Sequence, residues 1–154
     1  LVRDLCVLGY PGFSYARPRR RKLKNPGDVL LTALAQPNLE ARLVEALPWL
    51  LLKYTNMDRS WLVHEAKLRN LQNRLGFVTS LARRVAEKAN AQTKVQVLRD
   101  LEEELDRSRL DREDTFRAVP EPERQWLEQR RPNEAKHWKL LTDWTADSLR
   151  YVNT

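Results

Sequence analysis

The residues from Asp58 to Lys88, DRSWLVHEAKLRNLQNRLGFVTSLARRVAEK, constrain the fold more than any other stretch. They lie in a span from Trp49 to Val119 that has no proline and one glycine, Gly76. On an ideal helix, Trp61, His64, Leu68, Leu71, Leu75, Val78, Ala82, Val85 and Ala89 fall on one face within an arc of roughly 120°. Spacings of three and four persist from end to end. The pattern predicts helix over most of Asp58–Ala89, with His64 buried on the apolar stripe. Four glycines in 154 residues are too few for a turn-rich β-sandwich. The fold class expected is therefore all-α: a compact bundle of about six to eight helices, with no strand of four or more residues after Asn25.

Punctuation along the chain divides it into three parts. Residues 1–25 hold an apolar segment, the turn Gly9-Tyr10-Pro11-Gly12-Phe13 and a basic arm, Ala16–Lys24. Residues 26–110 form the expected helical core. Asp28 would cap Val29–Ala35, and Asn38 would cap Leu39–Leu47, with Pro48 forcing a kink or a fresh start. Val95, Leu98, Leu101 and Leu105 mark a further helix, with exposed i,i+4 pairs such as Arg99–Glu103 and Arg109–Glu113. Residues 111–154 read as a polar linker followed by a small helical tail. That tail is rich in tryptophan (Trp126, Trp138, Trp144) and is expected to pack on the core, with one helix running from Asn133 through Leu141.

Charge is unevenly spread. Residues 1–24 carry seven Arg or Lys against Asp4, a net of +6 out of +7 for the chain. Residues 99–114 carry eight acids against four arginines, a net of −4. Such asymmetry points to a polyanionic partner, or to one charged segment packing near the other. Cys6 is the single cysteine, which excludes an intramolecular disulfide and a cysteine-rich zinc site and fits a reducing compartment. No apolar run approaches a membrane span, and Arg3 and Asp4 interrupt any signal-peptide core. The expected location is cytoplasmic. The first residue is Leu1 rather than Met, consistent with a piece of a longer chain.

Catalytic motifs are sparse. His64-Glu65 lacks the second histidine one turn later that a zinc protease needs, since Leu68 stands there, so neither metal nor cofactor is expected. Arg59-Ser-Trp-Leu-Val-His64 is Arg-x4-His and resembles the signature of the HEPN helical ribonucleases, which implies an RNA-cutting alternative built on Arg59 and His64. Leu71, Leu75-Gly76-Phe77, Ala82 and Val85 also suit a helix-turn-helix, with Gly76 at the turn and Thr79 or Ser80 capping a second helix. Arg83, Arg84 and Lys88 would then face phosphates or guanine edges. The competing reading, preferred here, is one continuous helix in which Gly76 permits close packing.

The segments NPGDVLLTALAQPNLEARLVEALPWLLLKY and EPERQWLEQRRPNEAKHW resemble the part of bacterial Xre-type helix-turn-helix regulators and antitoxins that does not touch DNA. The resemblance covers about half the chain and transfers no site residue. It implies a prokaryotic regulator with DNA as partner, and with room for a cognate protein or a second copy. Together these observations predict a non-catalytic nucleic-acid-binding component of a transcriptional regulator or antitoxin. Its contacts would come from Arg17, Arg19, Arg20, Arg21, Lys22 and Lys24, with Arg83, Arg84 and Lys88 as candidate readers. The alternatives are the HEPN-like ribonuclease and a module that binds an acidic protein.

Overall fold

A computed structural model describes residues 1–16 and 23–151. Its α-helices are α1 (Val2–Leu8), α2 (Pro26–Leu34), α3 (Ala41–Lys53), α4 (Arg59–Leu68), α5 (Gln72–Lys88), α6 (Gln92–Asp106), α7 (Glu121–Arg130) and α8 (Asn133–His137), with 3-10 segments at Pro11–Ala16 and Ala146–Ser148. The fold is all-α. Among the described residues the one piece of β structure is an isolated parallel bridge, Asp114 to Leu140. No helix there is long and apolar enough to cross a membrane.

Helix α5 is the axis. It buries Leu75, Phe77, Val78, Leu81 and Ala82 almost completely, so apolar surface surrounds its first turns instead of forming a single stripe. α3, α4, α6, α8 and the Ala146–Ser148 segment all pack on it. α6 lies alongside in a helical hairpin and contributes the expected Val95, Leu98, Leu101 and Leu105 to the core.

The central stretch is not one helix, and its break is not at Gly76. α4 stops at Leu68, Asn70 takes a left-handed conformation (φ 55°), and α5 starts at Gln72. Asparagine tolerates that region better than any residue bar glycine. The break resets the helical phase, which corrects the expected burial of His64. α4 buries Leu62, Val63 and Ala66, leaving His64 exposed and Leu68 66% exposed. Thr79 and Ser80, the candidate caps of a second helix, lie in mid-helix and donate back to the Leu75 and Phe77 carbonyls, both at 2.6 Å.

Gly76 performs the packing role expected of it. A β-carbon there would stand 2.5 Å from Cε3 and Cη2 of Trp138, whose indole lies flush on the helix backbone.

Local end signals also differ from expectation. Asn25, not Asp28, caps α2, its Oδ1 accepting from the Gly27 amide at 2.8 Å. α3 begins after Glu40 and runs through Pro48, because burial of every residue from Ala46 to Leu52 outweighs one missing backbone bond. Asn38 is freed from capping and accepts instead from the Ala118 amide. α8 ends at His137, well short of Leu141. Lys139 turns left-handed (φ 61°), and around the bridge the Asp114 amide donates to the Lys139 carbonyl while the Asp114 carbonyl accepts from the Leu141 amide.

The linker is tied down by polar side chains at the start of α5. Gln72 donates to the Ser108 carbonyl at 3.0 Å, and Asn73 exchanges two bonds with Leu110. Arg74 clamps Asp114 through Nε (2.7 Å) and Nη2 (3.1 Å). It also donates to the carbonyls of Leu34, Gln36 and Thr115. One guanidinium thus joins α2, α5 and the linker.

Candidate nucleic-acid interface

An aromatic cluster precedes the basic run in the chain. Trp49 of α3 meets Tyr10 edge to face at 5.2 Å, Tyr10 meets Phe13 at 5.2 Å, and Phe13 meets Tyr15 at 6.3 Å. Trp49, Tyr10 and Phe13 are buried, whereas Tyr15 is 70% exposed. Burial first, and then the nearby Glu45 carboxylate, push the Tyr10 phenol above its ordinary pKa and keep it neutral. Arg42 of α3 spans the last two rings. Its guanidinium lies 5.6 Å from the Phe13 centroid and donates to the Tyr15 hydroxyl at 2.9 Å, while Nε donates to Glu40.

Arg17, Arg19, Arg20, Arg21 and Lys22 lie outside the described residues. Both flanks of that run are described. Tyr15 stands on one side and Leu23, 67% exposed, on the other, followed by Lys24 bonded to Asp4 of α1 at 3.2 Å. Both described flanks are thus held to the fold, Tyr15 by Phe13 and Arg42 and Lys24 by Asp4.

The other three candidate cations are engaged within the fold. Arg83 is hydrogen-bonded to Glu102 of α6 and to Glu87. Arg84 bonds Glu134 of α8 at 2.7 Å, and Lys88 pairs with Asp147. Arg83, Arg84 and Glu102 border a polar cleft of about 530 Å³ between α5, α6 and α8. On its far side His137 meets Asp106 at 2.9 Å, so each pair of these three helices is bridged by at least one polar side-chain contact. In this arrangement the three cations act as cross-links between elements of the fold. The expected i,i+4 pairs along α6 give way to such cross-links, with Arg99 turning to Glu87 and Arg109 to Asp106 and His137.

Burial works against the charge of Arg83, but its bonds to Glu102 and Glu87 outweigh that and raise its pKa. The two carboxylates respond oppositely. Burial raises Glu102, and Arg83 offsets this only in part. Burial also opposes ionisation of Glu87, yet Arg83, Arg84 and Arg99 together bring it below the ordinary value. Glu87 thus contributes stability that is complete above its unfolded-state pKa and is lost as pH falls through its folded value. Glu102 acts with the opposite sign, favouring the folded chain on the acid side. Glu87→Gln is expected to lower Tm at neutral pH by about 2–4 °C, the shift for roughly 1 kcal/mol in a chain of this size. The gap from wild type should close on acidification in thermal melts followed by circular dichroism. A gap that stays constant with pH would show that Glu87 acts by packing.

Arg59 and His64 do not converge. Arg59 turns to Glu104 (3.0 Å) and Asp100 (3.5 Å) of α6. The apolar niche it borders, with Tyr54, Met57, Val97 and Leu101, does not include His64. Among the described residues no three His, Cys, Asp or Glu side chains are grouped to hold a metal.

Seven of the eight acids in the run 99–114 are engaged across the described residues. Asp100 and Glu104 take Arg59, Glu102 takes Arg83, Asp106 takes His137 and Arg109, Asp111 takes Lys139, Glu113 takes Arg124 and Arg131, and Asp114 takes Arg74. Sequence reasoning missed Arg74 and Arg42. The three consecutive polar residues Gln72-Asn73-Arg74 on an otherwise apolar face are the signal that could have drawn attention to the first.

No protein-family model matches the chain, and no curated protein or solved structure matches it.

Proposed function

We propose that this protein binds nucleic acid through the basic segment Arg17–Lys24, as the non-catalytic binding component of a transcriptional regulator or antitoxin. One observation carries the reading. Seven of the eight carboxylates of 99–114, the obvious internal counter-charge for the arm, pair with side chains elsewhere in the described residues, among them Arg59 of α4, Arg74 and Arg83 of α5 and Arg124 of α7. Polyanion is the chemistry that suits five cations in six residues, four of them arginines with forked donors for phosphate oxygens. Arg42, bonded to the Tyr15 hydroxyl, adds a further cation beside the residue that stands two positions before the basic run.

The test is salt dependence. Neutralising about four phosphates gives a log–log slope near −3.6 for duplex DNA. Replacing Arg19, Arg20, Arg21 and Lys22 with alanine is expected to flatten that slope and weaken binding to all sequences alike, as read by fluorescence anisotropy. Loss of affinity for one sequence alone would mean that the arm reads bases. An unchanged affinity and slope would remove the nucleic-acid role and leave an acidic protein partner as the better explanation. Arg84→Ala, by contrast, should leave the slope unchanged, because that guanidinium is committed to Glu134.

A further inference from the structure

We infer that Tyr15 is a stacking platform for an unpaired base, so that the partner is a single strand or an unpaired stretch and not a continuous duplex. The inference rests on the nucleic-acid reading above and adds to it the kind of strand.

The geometry supplies three requirements of such a platform. The first is an open face. Tyr15 is the most exposed of the large hydrophobic side chains in the described residues, and its one ring contact there is an edge-on approach to Phe13 at an interplanar angle of 89°. Among the described residues no aromatic ring covers its face.

The second is rigidity, since a side chain already held in place loses little freedom when a base arrives. Tyr15 is held twice. Arg42 donates to its hydroxyl at 2.9 Å, and Phe13, 2% exposed, anchors its ring edge to the Tyr10–Trp49 stack. Arg42 is fixed in turn by Glu40 at 2.9 Å and by the Phe13 ring at 5.6 Å.

The third is counter-charge for the strand's backbone. Arg42 stands at the platform's edge, and the five cations of 17–22 follow Tyr15 directly in sequence. Exposed aromatics set in a cationic surface are how single strands are held without sequence preference, because every base has a π face. A duplex keeps those faces stacked internally and offers the tyrosine only its phosphates.

The experiment uses the full chain and three fluorescein-labelled probes of equal length: oligothymidylate, its duplex with oligoadenylate, and an abasic strand with the same phosphates and no bases. Tyr15→Ala is expected to weaken oligothymidylate binding on the order of 5- to 150-fold, the range for losing one stacked base. Duplex and abasic binding should change little, and the salt slope should stay. Tyr15→Phe, which keeps the ring and loses only the Arg42 bond, should retain most of the affinity. An equal loss on all three probes, or no loss on any, overturns the platform while leaving the nucleic-acid reading in place. Failure of the wild-type chain to bind any of the three overturns both.

Discussion

Replacing Arg74 with methionine is expected to destabilise the fold by about 3–5 kcal/mol, the cost of removing one partner from a buried charge network. The arginine side chain is 11% exposed and its partner Asp114 32%. The substitution keeps much of the aliphatic stem, so the loss comes from polar groups left unpaired and not from a cavity. Those groups are the Asp114 carboxylate and the carbonyls of Leu34, Gln36 and Thr115, each bonded to Arg74 at 3.1 Å or less. At roughly 2–4 °C per kcal/mol, the drop in Tm should be about 6–20 °C. Arg74→Lys should recover only part of it, because an ammonium cannot reproduce the fork that grips Asp114 while reaching three separate carbonyls. Urea unfolding gives the measurement. A loss below about 1 kcal/mol for the methionine variant would mean that water replaces the guanidinium at little cost.

The same residue shows where sequence reading reaches its limit. Hydrophobic periodicity in α5 and α6 is local, so the buried positions Leu75, Val78, Ala82, Leu98, Leu101 and Leu105 could be read directly. Arg74 sits among them and looks like a lapse in the pattern. Its meaning depends on Asp114 and Leu34, both far along the chain, and no local rule announces such partners. His64 failed for a related reason. A helical wheel carries phase across every residue, but one left-handed asparagine, Asn70, rotates α4 relative to α5 and turns a different face inward. Composition identified the basic run at once. It could not show that Arg83, Arg84 and Lys88 meet acids brought to α5 by α6, α8 and the Ala146–Ser148 segment.

Trp138 and Gly76 should behave as a single unit. Trp138 is 3% exposed, and truncating it to alanine is expected to cost about 3–5 kcal/mol through lost burial and the void left behind. Gly76→Ala alone has two opposing effects. Alanine is the better helix former by about 1 kcal/mol, favouring the variant. Against this, its methyl would overlap the indole, with Cε3 and Cη2 at 2.5 Å and Cζ3 closer still. Overpacking of that kind costs about 1–3 kcal/mol, because a ring wedged between α5 and the end of α8 has little room to shift. The net effect expected is destabilisation of up to about 2 kcal/mol. With Trp138 already replaced by alanine, the clash is gone and the propensity gain remains. Gly76→Ala should then stabilise the chain by up to about 1 kcal/mol, reversing its sign between the two backgrounds. A double-mutant cycle by urea unfolding reads that reversal directly. If Gly76→Ala has the same effect in both backgrounds, the glycine serves the helix backbone and not the tryptophan, and the docking of α8 on α5 has another cause.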